Sequence, residues 1–140
     1  IEYRAFVTSD ESGKPLSDKV FEKQSAIIRK LAEQGPGIFV GRCADYVLGD
    51  YSNCINTFIY AYKEDRIRRI MKLYYLDERQ ARDKIKKTDR ERRVYYETRT
   101  GREWGSIEAN AMMFNVSLLG IDGTVDALEA IYRKWKSRDK

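Results

Sequence analysis

The chain has 140 residues, 42% of them hydrophobic and 12% aromatic, with a formal net charge of +5. That length fits one domain with a sizeable core, the aromatic content argues against disorder, and the basic balance favours an anionic partner: nucleic acid, an acidic membrane surface or nucleotides. Histidine is absent, which excludes His general bases, Ser-His and Cys-His nucleophiles and His-based metal sites.

Residues 8–16, TSDESGKPL, have turn and loop chemistry. A helix follows, with Ser17 or Asp18 as N-cap and Val20, Ile27, Ile28 and Leu31 near one face; Gly35-Pro36-Gly37 ends it. Ile38-Phe39-Val40 is a short apolar run between glycines, the pattern of a strand buried on both faces. Gly41-Arg42 comes next, then a short helical stretch, ADYVL. A second strand is expected over Ile55–Tyr62, followed by a helix opened by Lys63-Glu64-Asp65-Arg66, whose acids suit the helix dipole. Ile67, Ile70, Met71 and Tyr74 give it a stripe to bury.

Asp77 and Gln80 form a capping-box pair at the start of the next helix. A third strand is expected over Ala111–Val116, then a turn at Gly120-Ile121-Asp122-Gly123. A last helix carries Val125, Leu128, Ile131, Tyr132 and Trp135 at helical spacing. Strands alternating with helices indicate an α/β fold with a parallel sheet. Cys43 and Cys54 make neither a CxxC nor a metal spacing, and suit reduced thiols in a cytoplasmic protein. No run approaches the ~18 apolar residues of a membrane span. The chain starts with Ile1 and is expected to begin inside a longer protein.

The segment KKTDRERRVYYETRTGREWG, 86–105, concentrates charge beside aromatic residues. Its helix begins amphipathic, with Leu76, Ala81 and Ile85 able to touch a core, but Thr88 and Arg92 come next on that face. A helix that loses its apolar face leaves the body of the domain or covers a wet cleft. Asp89, Arg92, Arg93 and Tyr96 share one face by helical spacing. Guanidinium groups match phosphate oxygens in bidentate geometry. The competing reading is a solvated helix laced by surface ion pairs, each worth about 0–1 kcal/mol. Tyr95 and Tyr96 either stack on a base or pack the foot of the segment.

Arg42 stands directly after a strand and a glycine, and in parallel α/β sheets ligands bind beyond the carboxyl ends of the strands. The alternative for Arg42 is an ion pair with a neighbour such as Asp45. Arg66, after the next strand, would face the same edge or form a surface pair within its own helix. A cation in the first turn of a helix opposes the dipole unless an anion sits beside it.

Three stretches, FVGRCADYVL (39–48), FIYAYKEDRIRRI (58–70) and KKTDRERRVYYETRTGREWG (86–105), together resemble the cytidylate kinase-like branch of the nucleoside monophosphate kinases. NVSLLGIDGTVDAL (115–128) fits the same family's last strand and helix. The resemblance implies a single cytidylate kinase-like domain over 1–140, with a P-loop kinase fold and a helical lid at about 77–105. It implies phosphoryl transfer from ATP, with Mg²⁺, to a nucleoside monophosphate such as CMP or dCMP. By position, Arg42 resembles the arginine on the acceptor nucleotide, Arg66 an arginine on its phosphate, and Asp89 and Arg92 the lid residues that hold the acceptor. Arg42, Arg66 and Arg92 would be the catalytic cations. Helix geometry adds Arg93 on the acceptor and Arg90 on ATP, and Asp45 is a candidate reader of the cytosine amino group.

Two departures stand out. Ile85, with Lys86 beside it, occupies the place of an arginine one turn before the lid aspartate in bacterial cytidylate kinases. No G-x-x-x-x-G-K-[ST] phosphate loop occurs in the chain; in the family that loop and its strand would precede Ile1. The alternative is a non-enzymatic nucleic-acid-binding module, or an inactive kinase relative, using the basic residues of 82–102.

Overall fold

The computed structural model describes residues 15–139, in two compact units divided between Cys54 and Ile55. The loop expected over 8–16 lies, except for Pro15 and Leu16, outside the described residues. Among the described residues, no helix is long and apolar enough to cross a membrane.

The first unit contains α1 (Leu16–Glu33) and the single-turn α2 (Ala44–Val47). Pro15 sits at the N-cap of α1, so Ser17 and Asp18 fall inside its first turn, where the Asp18 carboxylate favours the dipole. The helix stops at Gln34, and Gly35 follows at φ 146, a backbone angle that glycine adopts without strain. The stripe expected to be buried is largely open to solvent: Val20, Ile27 and Leu31 are exposed, and the buried member of α1 is Ser25, whose hydroxyl donates to the Phe21 carbonyl at 2.8 Å. This unit's buried side chains otherwise cluster at α2, in Cys43, Ala44, Val47 and Leu48.

The strand expected at Ile38–Val40 does not form. Among the described residues the segment has no strand hydrogen bonds, and Ile38 and Val40 are 95% and 88% exposed. An apolar run states what a strand would bury. It does not supply the neighbouring backbone, and without that ladder the side chains stay in solvent.

The second unit is built on a two-stranded parallel sheet, β1 (Thr57–Tyr60) beside β2 (Met112–Asn115), with Thr57 opposite Met112 and Tyr60 opposite Asn115. Both strands are shorter than expected. Parallel strands need a long crossover, here supplied by α3 (Lys63–Tyr74) and α4 (Glu78–Thr100). Glu64 and Asp65 lie in the first turn of α3 as anticipated, and Tyr75 closes it in a left-handed conformation. The capping box of α4 is complete: Gln80 N–H donates to Asp77 Oδ1 at 2.8 Å, and Asp77 N–H donates to Gln80 Oε1 at 3.0 Å.

α3 and α4 pack together, with Ile67 and the fully buried Ala81 in the core. The apolar stripe of α4 ends near Ile85, yet the helix does not leave the body of its unit. Thr88 and Asp89 are half-buried and Tyr96 is 8% exposed. A polar contact, described below, takes over where the stripe fails. α5 (Val116–Lys136) starts immediately after β2 because the Asn115 side chain accepts from Ser117 N–H as an N-cap. The turn expected at 120–123 is instead a kink inside α5 at Gly120, with φ 70 and ψ −175.

Candidate functional site

Arg66 occupies the first turn of α3, just beyond the carboxyl end of β1. Its two terminal nitrogens donate to both carboxylate oxygens of Asp89 in α4, at 2.8 and 2.7 Å. The side chains are 36% and 25% exposed. The hydrogen bonds to Asp89 raise the Arg66 pKa, with burial opposing them, so the guanidinium stays charged. Sequence reasoning placed Arg66 and Asp89 at the site separately; the structure joins them.

Arg66 also lines a hollow of about 310 Å³ at the carboxyl edge of the two strands. Ala61 and Asp65 border it on the β1–α3 side, and Ser117, Gly120 and Ile121 on the α5 side. Arg69, one turn after Arg66, and Val116, the first residue of α5, complete the lining. Ser117 ties the two walls together: its hydroxyl accepts from Tyr62 N–H at 2.9 Å. The same hydroxyl, and after it Arg68, holds the Asp65 carboxyl below the usual carboxylate range, against the opposing effect of burial. Arg69 and Ser117 are not among the site residues expected from the sequence. The available signals were the i+3 spacing from Arg66 and the Asn115-Val116-Ser117 run that ends β2 and opens α5.

Arg90, Arg92 and Arg93 of α4 are exposed and form no ion pair among the described residues. Of the face shared by Asp89, Arg92, Arg93 and Tyr96, only the aspartate and the tyrosine turn inward. Tyr96 is therefore a packing residue rather than a platform for a base, and Tyr95 is half-buried.

The TGREWG end of the charged segment anchors α4. Thr100 Oγ1 donates to the Tyr96 carbonyl at 2.8 Å and accepts from Arg102 N–H at 3.1 Å, and Gly101 caps the helix in the left-handed region. Trp104 N–H donates to Glu97 Oε1 at 3.2 Å, and the Trp104 ring meets Phe58 of β1 edge-on at 5.3 Å. This knot holds the foot of α4 against the sheet.

In the first unit, Arg42 is exposed at φ 54, between Gly41 at φ 72 and Cys43 at φ 55. Non-glycine residues held there cost about 1 kcal/mol or more each. Arg42 forms no ion pair with Asp45 or any other described residue, and Asp45 lies half-buried in the first turn of α2. Cys43 and Cys54 form no disulfide. Among the described residues, no three His, Cys, Asp or Glu side chains gather as metal ligands.

The chain is similar in structure to an uncharacterized protein from Eubacterium ventriosum ATCC 27560, with a TM-score of 0.80 and 27% sequence identity over 85% of this chain and 68% of that one. No curated protein matches it in sequence. The sequence profile of the cytidylate kinase-like family matches residues 2–118, a span that takes in α1 to β2 with Arg42, Arg66 and Asp89. With most of its length inside that profile, the chain belongs to the cytidylate kinase-like family.

Proposed function

We propose that the protein is a nucleoside monophosphate kinase of the P-loop type, transferring the γ-phosphoryl group of ATP to CMP or dCMP. One observation carries this reading beyond family membership. Arg66, beside a hollow at the carboxyl edge of a parallel sheet, is bound by both terminal nitrogens to the helix that would serve as the lid. Parallel α/β sheets take ligands at that edge.

Phosphoryl transfer asks the protein for positioned cations and for exclusion of water, not for a nucleophile or a histidine base. In the reaction an oxygen of the acceptor phosphate attacks the γ-phosphorus. The bond from that phosphorus to the bridging oxygen breaks, and ADP leaves with the electron pair. Arg66 is assigned the acceptor phosphate, and Arg42 and Arg92 the charge that develops around it. Asp89 and Arg93 are assigned to hold the acceptor, Asp45 to read its base, and Arg90 to meet ATP. Mg²⁺ arriving with ATP would neutralise charge on the phosphates, and such ions are commonly held by one or two carboxylates plus the phosphates themselves.

The test is a panel of nucleoside monophosphates assayed for coupled ATP turnover with full-length protein and Mg²⁺, alongside calorimetry of each nucleotide. CMP or dCMP should be the preferred acceptor. Absence of turnover and of binding across the panel rejects the reading.

Arg90, Arg92 and Arg93, exposed and without an ion pair among the described residues, favour a second reading, nucleic-acid binding through 82–102. The burial of Tyr96 works against it by removing one stacking surface. Oligonucleotide affinity that falls steeply with salt, with no response to mononucleotides, would select it.

A further inference from the structure

Ser117 takes part in two helix starts at once. Its N–H donates to the Asn115 side chain at the N-cap of α5, at 3.0 Å. Its hydroxyl reaches the start of α3 and accepts from the N–H of Tyr62, the N-cap residue there, at 2.9 Å. The Tyr62 side chain makes no cap bond.

The start of α4 shows what α3 lacks. Its capping box closes within the helix, between Asp77 and Gln80. In α3 the matching positions hold Tyr62 and Asp65. In a capping box the N-cap N–H is bonded by the side chain of the third helical residue, but the Tyr62 N–H goes to Ser117 instead. A serine hydroxyl has one proton to give, and this one is given to the Asp65 carboxyl, the chief cause of that group's lowered pKa. Tyr62 N–H, Ser117 hydroxyl and Asp65 carboxylate thus form a capping box closed through a residue of another helix.

Arg66 is the next residue along, and its own N–H donates to the Tyr62 carbonyl at 3.0 Å. Tyr62 is therefore held by Ser117 through its N–H and holds Arg66 through its carbonyl. A guanidinium stands at the end of a long side chain with several free rotations. A small tilt of the turn at its root moves the charged end much further than it moves the backbone.

We propose that Ser117 is a positioning residue for Arg66: it closes the cap of α3 from outside and so fixes the direction in which the arginine is presented. The proposal rests on the kinase reading for what Arg66 does. It goes beyond that reading by making a residue of α5 a determinant of rate that acts through Arg66 and needs no contact with either nucleotide.

Ser117→Thr and Ser117→Val are alike in shape and differ in the hydroxyl. In full-length protein with Mg²⁺ and ATP, Ser117→Val should lower kcat/KM for CMP about tenfold, the scale of a modest misplacement of one binding group. The KM for ATP should stay unchanged, and Ser117→Thr should keep wild-type values. In protein already carrying Arg66→Gln, Ser117→Val should cost nothing further, because both changes act on one contact. A cap that served stability alone would lower the melting temperature and leave the acceptor kinetics and this non-additivity untouched. NMR relaxation of the Arg66 Nε–H reads the same point without turnover: its order should fall in Ser117→Val and hold in Ser117→Thr.

Wild-type kcat/KM in Ser117→Val, a loss shared equally by Ser117→Thr, or a loss that adds in full to that of Arg66→Gln overturns the proposal. Should Ser117→Val fail to fold, Asp65→Ala breaks the relay at its other end and must show the same loss and the same non-additivity. Absence of turnover with every nucleoside monophosphate removes the kinase reading, and an Arg66 that loses order in Ser117→Val alone then still sustains the positioning role. CMP turnover with Arg66 equally ordered in both variants keeps the kinase reading and removes Ser117.

Discussion

Arg66 and Asp89, 23 residues apart in sequence, close a two-bond ion pair between the first turn of α3 and the middle of α4. The pair explains two oddities at once. A cation in the first turn of a helix opposes the dipole, and here the opposing charge is matched by a carboxylate from the neighbouring helix. A long helix that runs out of apolar residues should lift away, and here the half-buried ion pair continues the contact that Ala81 and Ile85 begin.

A double-mutant cycle between Arg66→Gln and Asp89→Asn should therefore give a coupling energy on the order of 1 kcal/mol. That figure allows for solvent screening of a pair that is about one-third exposed, and it should shrink as salt is added. The raised Arg66 pKa means that its contribution is fully present below the guanidinium's unfolded value and lost only as pH rises through the folded one. Thermal melts across neutral pH should show no titration of the Arg66 contribution. Zero coupling at low salt would show that the contact is made without stabilising the helix pair.

Arg42 and Arg92 are exposed and make no ion pair among the described residues, so their replacement should separate function from stability. Arg42→Ala and Arg92→Ala should each lower kcat/KM for CMP by about a hundredfold, the scale for losing one preorganised cation or donor at a charged transition state. Melting temperatures should move little for Arg92→Ala. For Arg42→Ala they should also stay close to wild type, because alanine meets the same left-handed strain at φ 54. Wild-type turnover in both variants would remove these two residues from the site.

The elements legible in the sequence were those whose signals are local. Asp77 and Gln80 announce their capping box by spacing alone, and Glu64 and Asp65 announce the start of α3. Ile38–Val40 misled because burial is not local: the run is apolar, but among the described residues no strand pairs with it. The same limit applied at the site. Arg66 and Asp89 could each be singled out by residue type and position, but their partnership depends on how α3 packs on α4. Arg69 is not legible in the sequence because a helix carrying Arg66, Arg68, Arg69 and Lys72 looks like a solvated basic face until the hollow shows that Arg66 and Arg69 line it.

Ser117 should reveal itself through a neighbour's titration. Its hydroxyl is the chief cause of the lowered Asp65 pKa, ahead of Arg68. A carboxyl with a depressed folded pKa adds stability above its unfolded value, and that stability is lost as pH falls through the folded value. In Ser117→Ala, the Asp65 carboxyl followed by NMR should titrate at higher pH, nearer an ordinary aspartate. The acid-side loss of stability from Asp65 should correspondingly be smaller and be complete at a higher pH. An unchanged Asp65 titration would assign the shift to Arg68 alone and would weaken the case that Ser117 joins the two walls of the hollow.

Gly105 offers the most direct test of how α4 is anchored. It sits at φ 78, and a Cβ added there would lie 2.9 Å from Phe58 Cζ and 3.2 Å from Cε2. The Phe58 ring cannot easily retreat, because its edge-on partner is Trp104, whose own backbone N–H is held by Glu97. Gly105→Ala should thus lose about 2 kcal/mol, combining left-handed backbone strain with overpacking against an aromatic ring. Gly101 is the internal control: it has a similar φ of 67, but an added Cβ meets nothing within 4 Å, so Gly101→Ala should lose only the backbone share, about 1 kcal/mol. Chemical denaturation of both variants gives the difference, which isolates the Phe58 contact. Equal losses would mean that the ring yields freely and that the Trp104 knot does not fix the foot of α4 on β1.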